Sequence, residues 1–533
     1  MSFVSLSFFV FLAVSVVAFY ICPVRYRWVV LLAASVAFYS MSGLEYLPFI
    51  FLTSLTIFLG SRFIAKNWDK QKGELSAEGL AREDKKAIKE KFKKKNKKIL
   101  ILTLVINIGI LCAVKFGKFF ISPLNELISF LGGEGSLSAK SIIVPLGISY
   151  YTFSAVSYLL DVYWKRYEDE KNFFRFFLYV SFFPHILQGP IENYSRLGQE
   201  LKKELRFDLQ NVVYGVELLL WGYFKKLVVA DRLGILVDEA FSNSTRDFGV
   251  LYLVALVFDV FSLYADFSGC MDIARGISQV FGVKLDLNFE QPFLSTSVAE
   301  FWRRWHISLG AWFRDYVYYP VSTSSLVKNL NKKLKKANAP KLLIKAVCTC
   351  IPVFVTWILT GVWHGTGANY VVWGLYYAAL IGLSTVFSEP FQNLLKKLGF
   401  KTDTFSWKVL RTLKVFVIFM FGRLLTTTGT LQNTLAVIKS LLVTHNFWIF
   451  TNGTFWKICG MEPSQFLLSV LGIIILIAVD ILQAKDERSL RERISQENLF
   501  TRWILVIGLV LAIAMFGIYG PEYDASSFVY MAY

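Results

Sequence analysis

Long apolar runs alternate along the chain with short polar interruptions, and most of the runs are close to a bilayer in length. Residues 1–22, 28–47, 48–64 and 99–120 are almost unbroken series of apolar side chains. A helix of about 20 such residues crosses the hydrocarbon of a membrane. Similar runs follow at 142–163, 212–230, 250–281, 346–363, 370–387, 409–425, 466–482 and 503–519. The pattern predicts an all-α polytopic membrane protein with about 11 to 13 crossings. No Lys or Arg precedes the first run and no small-residue cleavage site follows it, so it is expected to be a first span with its N-terminus outside rather than a signal peptide.

Two apolar stretches do not fit a simple crossing. Residues 173–191 contain Pro184 and Pro190 and end in His185, Gln188 and Gly189. Proline interrupts a helix, and unpaired backbone at membrane depth survives only against protein or water, so a re-entrant segment is expected. Residues 282–320 are amphipathic and too polar for a plain span. They are expected to form a helix or broken helix dipping into the membrane.

The polar interruptions carry the charge. Residues 62–98 hold 14 Lys and Arg against 6 Asp and Glu, and 322–345 hold seven lysines and no acid. Both read as cytoplasmic loops beside anionic lipid, the Lys85–Lys98 end of the first with helical character. This accounts for much of the net charge of +18, so the charge is not a nucleic-acid signature. With 55% hydrophobic and 17% aromatic residues and a mean hydropathy of +0.49, a soluble enzyme is excluded. The six cysteines sit in or beside apolar runs, and their spacing suggests neither a disulfide framework nor a metal site.

Chemistry-bearing residues concentrate in two places. Phe301 to Pro320 reads FWRRWHISLGAWFRDYVYYP. As a continuous helix it would stack Trp302, Trp305, Leu309, Trp312 and Tyr316 on one face, with Arg303 and His306 on the next. Thr360 to Gly367 reads TGVWHGTG, placing His364 among glycines between two apolar runs. Two of only four histidines thus lie in Trp-His pairs, Trp305-His306 and Trp363-His364. Imidazole titrates nearest neutrality and is the commonest general base. The competing reading is that each satisfies a buried hydrogen bond. In the 250–281 run, Asp259 and Asp266 share a face and Asp272 can pair with Arg275, which suits either the wall of a wet cavity or a buried ion-pair network. There is neither a Gly-rich nucleotide loop nor a serine nucleophile elbow.

These motifs resemble those of the membrane-bound O-acyltransferase family, and especially its bacterial alginate O-acetylation branch. The fragments PLGISYYTF (from Pro145), FFPHILQGPI (from Phe182), FKKLVVAD (from Phe224) and YADFSG (from Tyr264) lie in the family's order. The resemblance implies helices around a central tunnel, a catalytic core at 140–380 within a single integral membrane domain, and C-terminal helices with an aromatic tail over 400–533. It puts the catalytic histidine at His364 and the second histidine at His306. Trp305, Trp363, Arg303, Arg314, Gln188 and Asp266 become candidates for lining the substrate tunnel, although structural pairing with Asp315 is the favoured role for Arg314. The ending FVYMAY partly matches the branch, making Tyr530 a candidate acyl relay.

The expected reaction moves an acyl group, by preference acetyl, from an acyl-CoA or acyl carrier protein thioester to hydroxyls of an exported polysaccharide or cell-wall glycan. No bound cofactor or metal is expected. The implied partner is an extracytoplasmic esterase-like protein of the SGNH type, and the implied location is the bacterial cell membrane. D-alanyl transfer to teichoic acid and a non-catalytic glycan or lipid transporter are the alternatives.

Overall fold

The computed structural model describes residues 2–130, 144–242, 248–486 and 488–519. Their regular structure is helical, and the one β-type contact among them is an antiparallel bridge between Phe289 and Trp305. Seven helices among the described residues are long and apolar enough to span a membrane, and Leu6–Ile21 and Leu431–Val443 are shorter apolar helices. The remaining expected crossings fall on helices such as Ile148–Tyr163, which has 16 residues, or on Phe405–Thr427, which carries four basic groups. The chain is a multi-pass membrane protein.

The basic 62–98 segment is largely helical, including the Lys85–Lys98 end whose helical character the sequence shows. The Leu47–Leu75 helix runs into it and the Arg82–Phe130 helix runs out of it, leaving only a short turn between. The reason is composition: Lys, Glu and Ala are strong helix formers, and no proline interrupts them. Polar contacts join this hairpin within its apolar faces. Asn67 donates to Asn96 at 2.9 Å, Asn107 donates to Thr56 at 3.0 Å, and Gly60 leaves room only for Thr103. Residues 173–191 break as the prolines require, into Phe173–Ser181 and the short helix Phe183–Ile186.

Cα packing divides the chain into two compact units, Met1–Val216 with Ala274–Asp286, and Glu217–Ile273 with Leu287–Tyr533. The first contains the hairpin just described and a buried acid, Glu192. Its carboxylate accepts the Asp286 backbone N–H at 2.7 Å, and Tyr179 donates to its carbonyl. Both histidine motifs lie in the second unit.

The Val250–Val280 helix is 83% buried over its most apolar stretch, whereas Leu499–Phe516 is not buried at all. That contrast identifies the first as an enclosed helix and the second as one left for lipid. The acids of the enclosed helix are each taken by a cation from elsewhere in the unit. Asp259 holds Arg423 through two bonds of 2.9 and 2.7 Å. Lys226 reaches Asp266 at 2.7 Å and Asp231 at 2.8 Å, and Lys225 reaches Asp272 at 2.5 Å. Asp272 thus has a cation partner in Lys225. The paired acids form a buried ion-pair network, one member of which, Arg423, also lines the cavity described below.

Candidate active site

The segment from 298 to 322 is not one helix. Ser297 caps a first helix, Val298–Arg304, by accepting the Glu300 N–H at 3.1 Å. Trp305 is then extended, and His306 takes left-handed backbone angles (φ 47°, ψ 53°) before a second helix, Ile307–Phe313, begins. The predicted continuous aromatic stripe is broken here because the chain pairs sideways instead. Glu290 N–H donates to Arg304 O at 2.9 Å, Ile307 N–H donates to Asn288 O at 3.0 Å, and Phe289 bridges Trp305 between them. A non-glycine residue held at positive φ carries strain of about 1–3 kcal/mol that its surroundings must overcome.

Asn288 is the surroundings in question. Its side-chain oxygen accepts both the N–H and the hydroxyl of Ser308, each at 2.9 Å. Its amide nitrogen lies 3.2 Å from His306 Nδ1 and 3.2 Å from Met271 Sδ. The His306 ring packs edge-on against Phe267, with centroids 4.8 Å apart, and is 3% exposed. Burial first, and the neighbouring His364 second, hold this imidazole well below its ordinary pKa.

His364 is positioned by a different device. It is the last residue of the Lys341–His364 helix, which turns through Gly365–Gly367 into the Ala368–Lys397 helix. The two helices meet without side chains between them. A Cβ on Gly361 would lie 2.3 Å from Tyr370 O, and one on Gly374 would lie 2.5 Å from Trp357 O. Asn369 then ties the turn to Leu425 O at 3.1 Å, and Tyr376 donates to Ile418 O at 2.9 Å. The His364 ring rests between Trp363 and Trp373, with centroids 4.8 and 5.0 Å away. Trp363 is in turn 6.1 Å from the His306 ring, so the two motifs meet across one indole.

Both histidines line a cavity of about 520 Å³, within the usual range for a bound small molecule. Its wall along the Lys341–His364 helix runs Thr349, Val353, Thr356, Thr360 and His364. These residues share one face, and at 1.5 Å per residue the wall extends for roughly 22 Å. Trp302, Trp357 and Trp373 form an aromatic flank, and Arg423 and Thr426 add polar groups.

Of the residues singled out from the sequence, His306, His364, Trp305, Arg303 and Arg314 line this cavity. Arg314 also pairs with its neighbour Asp315 at 2.8 Å, and its side chain is 56% exposed. Trp363 separates the two histidine rings. Asp266 is engaged by Lys226 and is not among the lining residues. Gln188 is buried in the other unit. Tyr530 lies outside the described residues. The motifs of the sequence do not include Asn288, Tyr370 or Arg423; only Arg423, a cation within an apolar run, leaves a visible signal. Among the described residues no cluster of ligand-type side chains could hold a metal ion.

An all-helical membrane fold enclosing paired histidines defines a class. Residues 165–334 match the model of the membrane-bound O-acyltransferase family, a stretch that includes His306 and stops short of His364. The chain belongs to that family and is an acyltransferase. Within the family it is similar to a Pseudomonas syringae pv. tomato protein named "Probable alginate O-acetylase", at 29% identity over 78% of this chain and 70% of that one. A peptidoglycan O-acetyltransferase of Helicobacter pylori is 26% identical over 54% of this chain and 56% of its own length. A teichoic acid D-alanyltransferase of Bacillus subtilis is 29% identical over 47% and 61%. The chain spans between about half and two thirds of the length of most of these curated relatives.

Proposed function

We propose that this protein transfers an acyl group, acetyl by preference, from a thioester donor to hydroxyls of an exported polysaccharide or cell-wall glycan. The observation that carries the proposal is the meeting of His306 and His364, from segments far apart in the chain, on one long cavity flanked by tryptophans. The cavity is narrow, largely apolar and long enough for an extended thioester arm. The Lys341–His364 helix starts beside the basic Ser325–Lys336 helix, which is the expected cytoplasmic side. A donor of the acyl-CoA or acyl carrier type would enter there, and the glycan would meet it at the His364 end.

In this mechanism a ring nitrogen of His364 takes the proton of the acceptor hydroxyl. The oxygen attacks the thioester carbonyl, the new C–O bond forms, and the C–S bond breaks. The departing thiolate recovers the proton from the imidazolium. His306 donates a hydrogen bond to the carbonyl oxygen as it gains charge or orients the acceptor, so both roles are filled from one cavity. An esterase-like protein outside the membrane is the proposed partner for passing the acyl group onward, in a bacterial cell membrane.

The test is the ester content of cell-surface glycan in cells carrying the wild-type protein, His364→Ala, or no copy, with protein abundance matched. Loss of ester in the variant to the level of the empty strain supports acyl transfer, and the acid released by hydroxylamine names the group. D-alanine in place of acetate would move the protein to the teichoic-acid reading favoured by its Bacillus subtilis relative. Unchanged ester content would remove His364 from the chemistry.

A further inference from the structure

We propose that Asn288 is a positioning residue that fixes the tautomer of His306, so that the ring of this cavity-lining residue carries its proton on Nε2 as a hydrogen-bond donor and leaves His364 as the base. The inference rests on the acyl-transfer reading above and goes beyond it by assigning where the His306 proton sits and what keeps it there.

The argument begins with a group whose identity is unambiguous. The backbone N–H of Ser308 can only donate, and it points at one head of the Asn288 amide from 2.9 Å. That head must be the oxygen, because the amide nitrogen there would set two donors against each other. The Ser308 hydroxyl also donates to this oxygen at 2.9 Å, so both of its lone pairs are used. The other head is then NH2. One of its hydrogens is directed at Met271 Sδ and the other at His306 Nδ1, each 3.2 Å away. Nδ1 also lies 3.3 Å from Asn288 Oδ1, but a proton on Nδ1 would find that oxygen already doubly engaged and would face the amide N–H. Nδ1 is therefore the acceptor, and in a neutral imidazole the proton must be on Nε2.

The backbone supports the same arrangement. Asn288 O accepts the Ile307 N–H at 3.0 Å, so one residue holds the strained turn through its carbonyl and the ring through its amide. His306 lines the cavity with Nδ1 committed to Asn288, so Nε2 is the ring nitrogen that carries hydrogen. A donor at that place suits a carbonyl oxygen gaining negative charge, whereas a lone pair there would repel it.

The experiment uses the full-length protein in lipid bilayers, labelled with ¹⁵N-histidine. Only four histidines are present, and His306→Asn identifies the signals of interest. Solid-state NMR distinguishes protonated from unprotonated ring nitrogens directly. The wild type is expected to show Nε2 protonated and Nδ1 unprotonated. Asn288→Asp keeps the shape and both bonds from Ser308 but replaces NH2 by an acceptor, so the proton should move to Nδ1. Glycan ester formation should then fall roughly 100- to 1000-fold, as when one preorganised donor is removed, with protein abundance unchanged. An Nδ1-protonated ring in the wild type overturns the proposal without any variant needing to fold. So does ester lost in Asn288→Asp with the tautomer unmoved, or a moved tautomer with ester intact. Because His364→Ala is measured alongside, failure of the acyl-transfer reading would appear there, independently of the tautomer.

Discussion

The two Trp-His pairs of this chain are identical as dipeptides and opposite as structures. His364 closes the C-terminal end of a 24-residue helix and is only partly buried. His306 opens a helix and is 3% exposed on a strained turn. Two chemically equal side chains are thereby given unequal surroundings, and the proposed mechanism assigns them different roles.

The largest test of this contrast is removal of each ring. His364→Ala should lower glycan ester formation by roughly 100- to 10,000-fold, the span for a lost general base. His306→Ala should cost less, about 100- to 1000-fold for one lost donor. A larger loss at His306 would reverse the assignment.

Next in size is the ion pair beside the His364 end of the cavity. Arg423 and Asp259 are both nearly buried and doubly bonded. Arg423→Leu leaves a buried carboxylate alone and should cost roughly 3–5 kcal/mol in thermal stability. Replacing both residues by apolar ones should recover most of that loss; equal losses in single and double variants would show that the pair is not a coupled unit.

Glycine substitutions separate the two devices further. Gly361→Ala puts a methyl 2.3 Å from the Tyr370 backbone oxygen, so the helices flanking His364 must part. About 1–3 kcal/mol of stability should go, together with activity. Gly310→Ala, beside His306, meets nothing closer than 3.5 Å. There alanine should be neutral or stabilise by up to about 1 kcal/mol through helix propensity. Equal sensitivity at both glycines would remove the distinction.

The mildest test is pH. A folded imidazole held below its unfolded value binds fewer protons than the unfolded chain does, so stability is full above the unfolded value and declines as pH falls below it. Thermal unfolding between pH 7 and 5 should show wild type losing up to about 1.4 kcal/mol per pH unit below 6.5 relative to His306→Asn. Parallel curves would mean His306 is not held neutral.

Much of this molecule is legible in the order of its residues. Run length and hydropathy are local quantities, so the class of fold follows from them, and Pro184 marks the break within 173–191. His306 and His364 stand out because an ionisable ring in an apolar run is costly and hence rare. The limits are as local as the signals. The helical character of Lys85–Lys98 can be read from its helix-forming lysines, but the pairing of Asn67 with Asn96 across the hairpin cannot.

Composition and periodicity act residue by residue, and a single chain displays them in full. They suffice for an all-helical, multi-pass membrane protein and single out two Trp-His pairs as candidates for its chemistry. Folding adds what they cannot contain: the two histidines share one cavity, Lys226 takes Asp266, and Asn288 holds the His306 ring. Such contacts join residues with no fixed spacing. Nothing in the chain's order records that an asparagine at 288 and a serine at 308 will face each other until the backbone has turned between them.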